Sequence, residues 1–348
     1  MRIAPHSDAL TFARTRSGAQ HRLILVTKYA GEAVTGVDLT ATLGHACDDP
    51  ISAFAAHGYE ALRTAASKAP EITVSLDALV LPVELNASHI AVGTNFPEHA
   101  KESTVTDGPF LFPKEVDPTP YNTAISAGDA LLDYEVELCF VALTDTDISK
   151  PVETMGIILC NDVTDRATLM RHIDPSHVTS GKGFTTGKSA PGYLPVGNLF
   201  VIPRDLRGFI KGIELRLTRN GVTKQSAMQS EAIWGFDQLL SETLKRQSPS
   251  WDHRGRTVRL PVDTNIIPAR TGILAGTPDG TIFKGLNKSA IPLGILDWLS
   301  GGWSKPVTHW IVERHIAQER RAKVYLQAGE RVCINVECLG ELRNEITA

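Results

Sequence analysis

"LLDYEVELCFVAL" (residues 131–143) is the stretch on which both fold and chemistry turn. Its β-branched and aromatic residues favour an extended strand. Glu135 and Glu137 are separated by one residue, so on a strand both carboxylates point to the same face and Val136 and Leu138 to the other. Two like charges that close repel, and one is driven to take a proton unless a cation intervenes. A divalent ion that prefers oxygen resolves the conflict. An isolated E-x-E is more often a solvated strand face. Here Leu131, Leu132, Leu138, Phe140 and Val141 place the strand inside the protein, where unpaired carboxylates are costly.

A third oxygen ligand is available nearby. Asp162 ends the apolar run "MGIILCND" (155–162), at the end of a buried strand. Read alone it would be a turn residue. Three carboxylates without His or Cys favour Mg²⁺ or Mn²⁺, with Ca²⁺ also compatible, over Zn²⁺. "NFPEHAKES" (95–103) adds His99 and Glu102, three apart. On one helical turn they share a face. A carboxylate beside an imidazole orients it and raises its basicity, which makes a general base near neutral pH. The plainer reading is a surface helix with a casual pair.

The rest of the chain supplies short strands bounded by Gly, Pro and Asp. These are expected at 21–30, 72–85, 89–96, 198–203, 213–221 and 330–340, with a hairpin turn at Asn220-Gly221. Helices are expected near 50–67, at 230–246 and at 309–325. No internal repeat or low-complexity tract is present. The reading is α+β and β-rich: a small N-terminal domain over 1–88 and a larger domain over 89–348.

Composition narrows the function. The 348 residues are 42% hydrophobic and 21% charged, ordinary for a globular protein. A net charge of −4 gives no electrostatic case for nucleic acid or an acidic membrane. The five cysteines are scattered without metal-type spacing, which reads as free thiols. No signal-peptide core and no membrane-spanning apolar run is found, so a cytoplasmic location is expected. "GFTTGKSAPG" (183–192) resembles a phosphate loop, but the required first glycine, at 182, is a lysine. The flanks are also wrong, so Lys188 needs another role.

"VGTNFPEHAKE", "PFLFPK", "LLDYEVEL", "CNDVTDR", "TTGKSAPGYLPVGNLFV", "AGTPDG" and "CLGELRN" stand in one order. In that order and spacing the chain resembles the fumarylacetoacetate hydrolase superfamily, closest to its acylpyruvase and oxaloacetate-decarboxylase-like branch. The resemblance covers about 89–284 and 326–344. It implies a mixed β-sandwich or β-roll and Mg²⁺ or Mn²⁺ held by Glu135, Glu137 and Asp162. It implies a His99–Glu102 water-activating dyad on a mobile lid, and Lys188 as the active-site lysine, a lone cation facing the carboxylates. Lys114, Arg166 and Thr277 match positions that bind substrate, and a homodimer is implied.

The implied activity is metal-dependent hydrolysis of a C–C bond in a 1,3-diketo acid through a stabilised enolate. Decarboxylation of a β-keto acid such as oxaloacetate is the alternative, with a hydratase or isomerase third and a non-catalytic ligand-binding member last. The chain departs from the family in "NDVTDRATL" after Asp162 and in "SAPGYLP" after Lys188. It also carries an insertion at about 285–325 with Trp298, Trp303 and Trp310, expected to be packed and either to line the pocket or to form a subunit contact.

Overall fold

The computed structural model describes residues 1–44, 47–103, 105 and 107–348, except the side chain of Ser17. Its backbone is a ten-stranded sheet. From one edge the strands run Glu71–Ser75, Ala33–Asp38, Gln20–Ala30, Ala9–Ser17, Phe200–Pro203, Gly156–Asn161, Val136–Val141, Gly272–Leu274, Ser88–Gly93 and Phe110–Glu115. Neighbours are antiparallel except Gly272–Leu274 beside Ser88–Gly93. A second sheet runs Val222–Met228, Glu214–Arg219, Arg331–Val336, Gly340–Thr347 and Ile125–Ser126, and packs against the central strands. The fold is the strand-rich mixed architecture expected, with two large sheets sharing one core.

Every residue of Val136–Val141 and of Gly156–Asn161 is buried. Covered on both faces, such strands read as continuous apolar runs, and a carboxylate among them must find a partner. Their register sets Glu137 opposite Cys160 and Val136 opposite Asn161. The Asn161 side chain accepts from the Glu135 backbone N–H at 3.0 Å, and Asp162 N–H donates to the Glu135 carbonyl at 2.9 Å. The ends of two buried strands are thereby locked together where their acidic residues lie.

Some expected boundaries shift. Only Glu71–Ser75 of the 72–85 run is a strand; a 3₁₀ turn over Leu76–Ala78 follows. The helix expected from 230 begins at Phe236, after a 3₁₀ turn at Gln229–Glu231, and Ile233 is exposed. Gly235 precedes it, and helical spacing alone does not reveal where a cap falls. The insertion is a hairpin of two helices, Ala290–Leu299 and Val307–Ala322. Only the second was expected. Pro292 and Gly294 argue against the first, but Pro is tolerated in a first helical turn. At Gly294 a Cβ would lie 2.5 Å from the Ile311 backbone, so the glycine allows the two helices to touch.

Candidate active site

The strand expected over 131–143 is broken at Tyr134–Glu135: Asp133 ends the short strand Leu132–Asp133, Glu135 lies in the break and Glu137 lies in Val136–Val141, and Asp162 meets them from the end of the neighbouring strand. One oxygen each from Glu135, Glu137 and Asp162 lie within 4.8 Å of one another, and all three residues are buried. Three cations reach this cluster. Lys188, ending the short helix Phe184–Lys188, places Nζ 2.7 Å from Glu135 Oε2 and 2.8 Å from Asp162 Oδ2. Lys114, on the edge strand, places Nζ 2.6 Å from Asp162 Oδ1 and donates to the Lys188 carbonyl. Arg166 opens the helix Arg166–His172, where the Asp165 side chain accepts from the Ala167 N–H. Its guanidinium donates to Asp133 Oδ2 at 2.8 Å and to Glu135 Oε1 at 2.6 Å.

Lys188 is therefore not a lone cation. The family likeness gave Lys188 the catalytic role and Lys114 a substrate-binding one; in the fold the edge strand brings Lys114 to the same aspartate as Lys188. The Arg166 guanidinium is committed to two carboxylates. Thr277 is buried, and its Oγ1 accepts from Gln225 Nε2 at 2.8 Å. Gln225 Oε1 accepts from the Val136 N–H at 3.0 Å. Thr277 and Gln225 thus brace the start of the acidic strand.

The electrostatics are uneven. Burial alone would raise the Asp162 pKa, but Lys114 and Lys188 outweigh it and hold the carboxyl below its usual range. Burial would lower the Lys188 pKa, and Asp162 and Glu135 reverse that. For Lys114 burial prevails over Asp162, so its pKa falls. Glu137 has no side-chain cation within hydrogen-bonding distance among the described residues; the Gly276 N–H donates to it at 2.7 Å. Burial first, then the Asp162 and Glu135 charges, push its carboxyl well above the usual carboxylate range. A cluster of oxygen donors with one carboxylate short of positive charge fits a divalent hard ion.

His99 sits on the helix Pro97–Glu102 and is buried. The raised basicity expected from Glu102 is not found: burial, aided by the Arg166 and Lys188 charges and opposed by Glu135, lowers the His99 pKa from 6.5 to about 4. Its Nδ1 is 3.5 Å from Glu102 Oε2, at the long limit of a hydrogen bond. Glu102 is drawn elsewhere: it accepts from the Gly280 N–H at 3.1 Å and the Thr281 hydroxyl at 3.2 Å, and pairs with Lys284. The same loop is tied to Asp133, which accepts from the Ile282 N–H at 2.8 Å and the Phe283 N–H at 3.1 Å.

The loop's geometry depends on Gly280. Its φ is +96°, and a Cβ there would lie 1.8 Å from the Lys224 carbonyl oxygen. Gly280→Ala is expected to cost at least about 1–2 kcal/mol from the left-handed backbone alone. It should also weaken the donor to Glu102. A denaturant midpoint equal to that of the parent chain would refute this account of the loop.

Sequence reasoning missed Asp133 and Lys284. Asp133 carried a signal, since "DYEVE" repeats an acid at every second residue. Lys284 carried none, because only the tertiary fold brings it to Glu102. The phosphate-loop likeness fails here too: at Gly183 a Cβ would lie 2.6 Å from the Ile173 N, so backbone fills the space before the helix.

The family model for the fumarylacetoacetate (FAA) hydrolase C-terminal domain matches residues 88–347. Among solved structures, the chain is similar to a fumarylacetoacetate hydrolase from psychrophilic Exiguobacterium antarcticum. That likeness has 21% identity and a TM-score of 0.60, over 97% of this chain and 99% of that one. It is similar also to a 2-hydroxyhepta-2,4-diene-1,7-dioate isomerase from Mycobacterium marinum, at 18% identity and a TM-score of 0.55, covering 97% and 98%. A maleylpyruvate hydrolase from Sphingobium sp. SYK-6 gives 16% identity and a TM-score of 0.56, covering 97% and 99%. No curated protein sequence matches. At these identities the structural likeness carries the fold and not the reaction. No helix among the described residues is long and apolar enough to cross a membrane.

Proposed function

We propose that this chain, which belongs to the fumarylacetoacetate hydrolase family, is a metal-dependent hydrolase that cleaves a C–C bond in a 1,3-diketo acid of the acylpyruvate type. The observation that carries the proposal is the convergence of Glu135, Glu137 and Asp162 with Glu137 left short of positive charge. A divalent ion held by these three, Mg²⁺ or Mn²⁺ by donor type, would supply a Lewis acid that favours the enolate of a 2-oxo acid.

The chain's own residues account for the rest. With its pKa lowered to about 4, His99 is neutral at neutral pH and free to take a proton from water. Glu102, 3.5 Å away, orients the imidazole. Lys188 keeps its charge and serves developing negative charge, a role that often carries the largest share of rate enhancement. Lys114 and Arg166 hold the carboxylates in place around it. Their buried ion pairs fix the geometry, which is where such pairs are most useful.

A second reading has its own support. Glu102 accepts three hydrogen bonds or ion pairs from the 280–284 loop and only a long contact from His99. A loosely held dyad is no handicap for decarboxylation of a β-keto acid, which needs enolate stabilisation and no attacking water.

Product analysis separates the two, with acetylpyruvate and oxaloacetate as substrates for the parent chain and His99→Ala. The hydrolase reading expects acetylpyruvate cleavage to fall by about 10²–10⁴ in His99→Ala. Any oxaloacetate decarboxylation should persist. Equal acetylpyruvate cleavage by both proteins would sink it. The pH profile adds a check. Because the His99 pKa is lowered, its basic form persists as pH falls below 6.5 and is lost only near 4. The acid limb of kcat/KM should therefore lie near 4, and a limb at 6.5 would contradict the burial of His99.

A further inference from the structure

The inserted hairpin turns its most apolar surface outward. Its second helix, Val307–Ala322, faces the body of the protein: Glu313 pairs with Arg171 at 2.7 Å, and Ile316 joins Leu131, Ala167, Met170 and Tyr325 in a small core. The first helix, Ala290–Leu299, packs on the second. Ala290 and Gly294 are buried there, and Asp297, its sole charged residue, is paired with Arg314. The residues left exposed are Ile291, Pro292, Leu293, Ile295, Leu296 and Leu299. At 3.6 residues per turn these span an arc of about 200° with no polar side chain in it. Leu296 is 59% and Leu299 57% exposed, and Trp303, in the turn that follows, is 70% exposed. A helix with so wide an exposed apolar face is one built to be covered.

Charge identifies what covers it. Residues 284–324 hold seven basic and three acidic residues, a net of +4 in a chain whose total is −4. All the exposed charges of this segment are basic: Lys288, Lys305, Arg320, Arg321 and Lys323, with Lys284 paired to Glu102. Lys288 stands at the start of the apolar helix and Lys305 just beyond Trp303, so cations flank the patch at both ends. A symmetric pairing with a second copy would set these cations against each other. An apolar face with Leu, Ile and Trp, rimmed by lysines, instead matches an interfacial helix on an anionic bilayer. We propose that the 285–325 hairpin docks this protein on anionic phospholipid membranes, with the first helix lying in the interface and Trp303 at headgroup level. The whole-chain charge, which predicts no membrane partner, averages this local excess away. The proposal is independent of the reaction assigned above.

Vesicle flotation of the full chain tests it, on phosphatidylcholine alone and on phosphatidylcholine with phosphatidylserine. Binding is expected only to the mixed vesicles and should weaken as salt rises. Leu296→Glu with Leu299→Glu should abolish it. Each of Lys288→Ser and Lys305→Ser should weaken it about fivefold, the worth of one cation near an anionic surface. Unchanged unfolding midpoints and turnover would show that these surface variants fold. Absence of binding by the parent chain would overturn the proposal, as would equal binding by the leucine variant. So would an ultracentrifuge result in which the parent ignores vesicles but associates with itself, and the leucine variant is monomeric; the face would then belong to a second copy.

Discussion

Asp133→Ala should cost about 3–5 kcal/mol of folding stability, the usual effect of removing one partner from a buried ion pair. Asp133 is fully buried and holds Arg166 through a 2.8 Å contact. Without it, the guanidinium keeps Glu135 as its one ion-pair partner among the described residues, beside the Phe283 ring, and burial works against a charge left half paired. The Ile282 and Phe283 N–H groups lose their acceptor at the same time. The loop that anchors Glu102 should loosen with them. Denaturant titration measures the loss. A double variant, Asp133→Ala with Arg166→Met, should recover part of it, because the stranded charge is gone. A single-variant loss below about 1 kcal/mol, the scale of a surface pair, would show that the buried network is not what holds this loop.

Lys188→Met should lower kcat by about 10²–10³, the loss typical of removing one preorganised electrostatic donor. Two outcomes distinguish a role in chemistry from a role in structure. The ammonium touches Glu135 Oε2 and Asp162 Oδ2, on two of the three carboxylates that would hold a divalent ion. Removing it takes away a competing cation, so affinity for Mn²⁺ should hold or rise while kcat falls. A joint collapse of ion affinity and kcat would instead make Lys188 a brace for the carboxylates. Lys114 stays on Asp162 in the variant and keeps that carboxylate paired.

Much of this site was legible because strand alternation is rigid. Glu135 and Glu137 share a face by geometry alone, and Asp162 follows from an apolar run that ends in an acid. Asp133 stands two residues before Glu135 and could have been read with them, although a break at Tyr134–Glu135 puts it in a separate short strand. The partners of these carboxylates could not. Lys114 and Arg166 entered through family likeness, and no spacing rule shows that one pairs with Asp162 and the other bridges Asp133 and Glu135. His99 and Glu102 show the limit of helical spacing. Three residues apart, they share a face, but the spacing does not say where a carboxylate turns. A loop far along the chain supplies Glu102 with better donors than His99. The first hairpin helix was hidden for a related reason: its glycine serves a contact with Ile311, which local propensity does not record.

Glu135, Glu137 and Asp162 are proposed to form a divalent-ion site on which turnover depends. The most direct measurement is Mn²⁺ titration of chelator-stripped protein by electron paramagnetic resonance, with turnover of acetylpyruvate followed in the same samples. Glu137→Gln is the informative variant, because Glu137 is the carboxylate that no lysine or arginine among the described residues contacts. Saturable binding of a single ion per chain is expected, with activity that returns in step with occupancy and affinity weakened at least about tenfold in Glu137→Gln. Full activity in the stripped protein, or Mn²⁺ binding unchanged by Glu137→Gln, would contradict the proposed site.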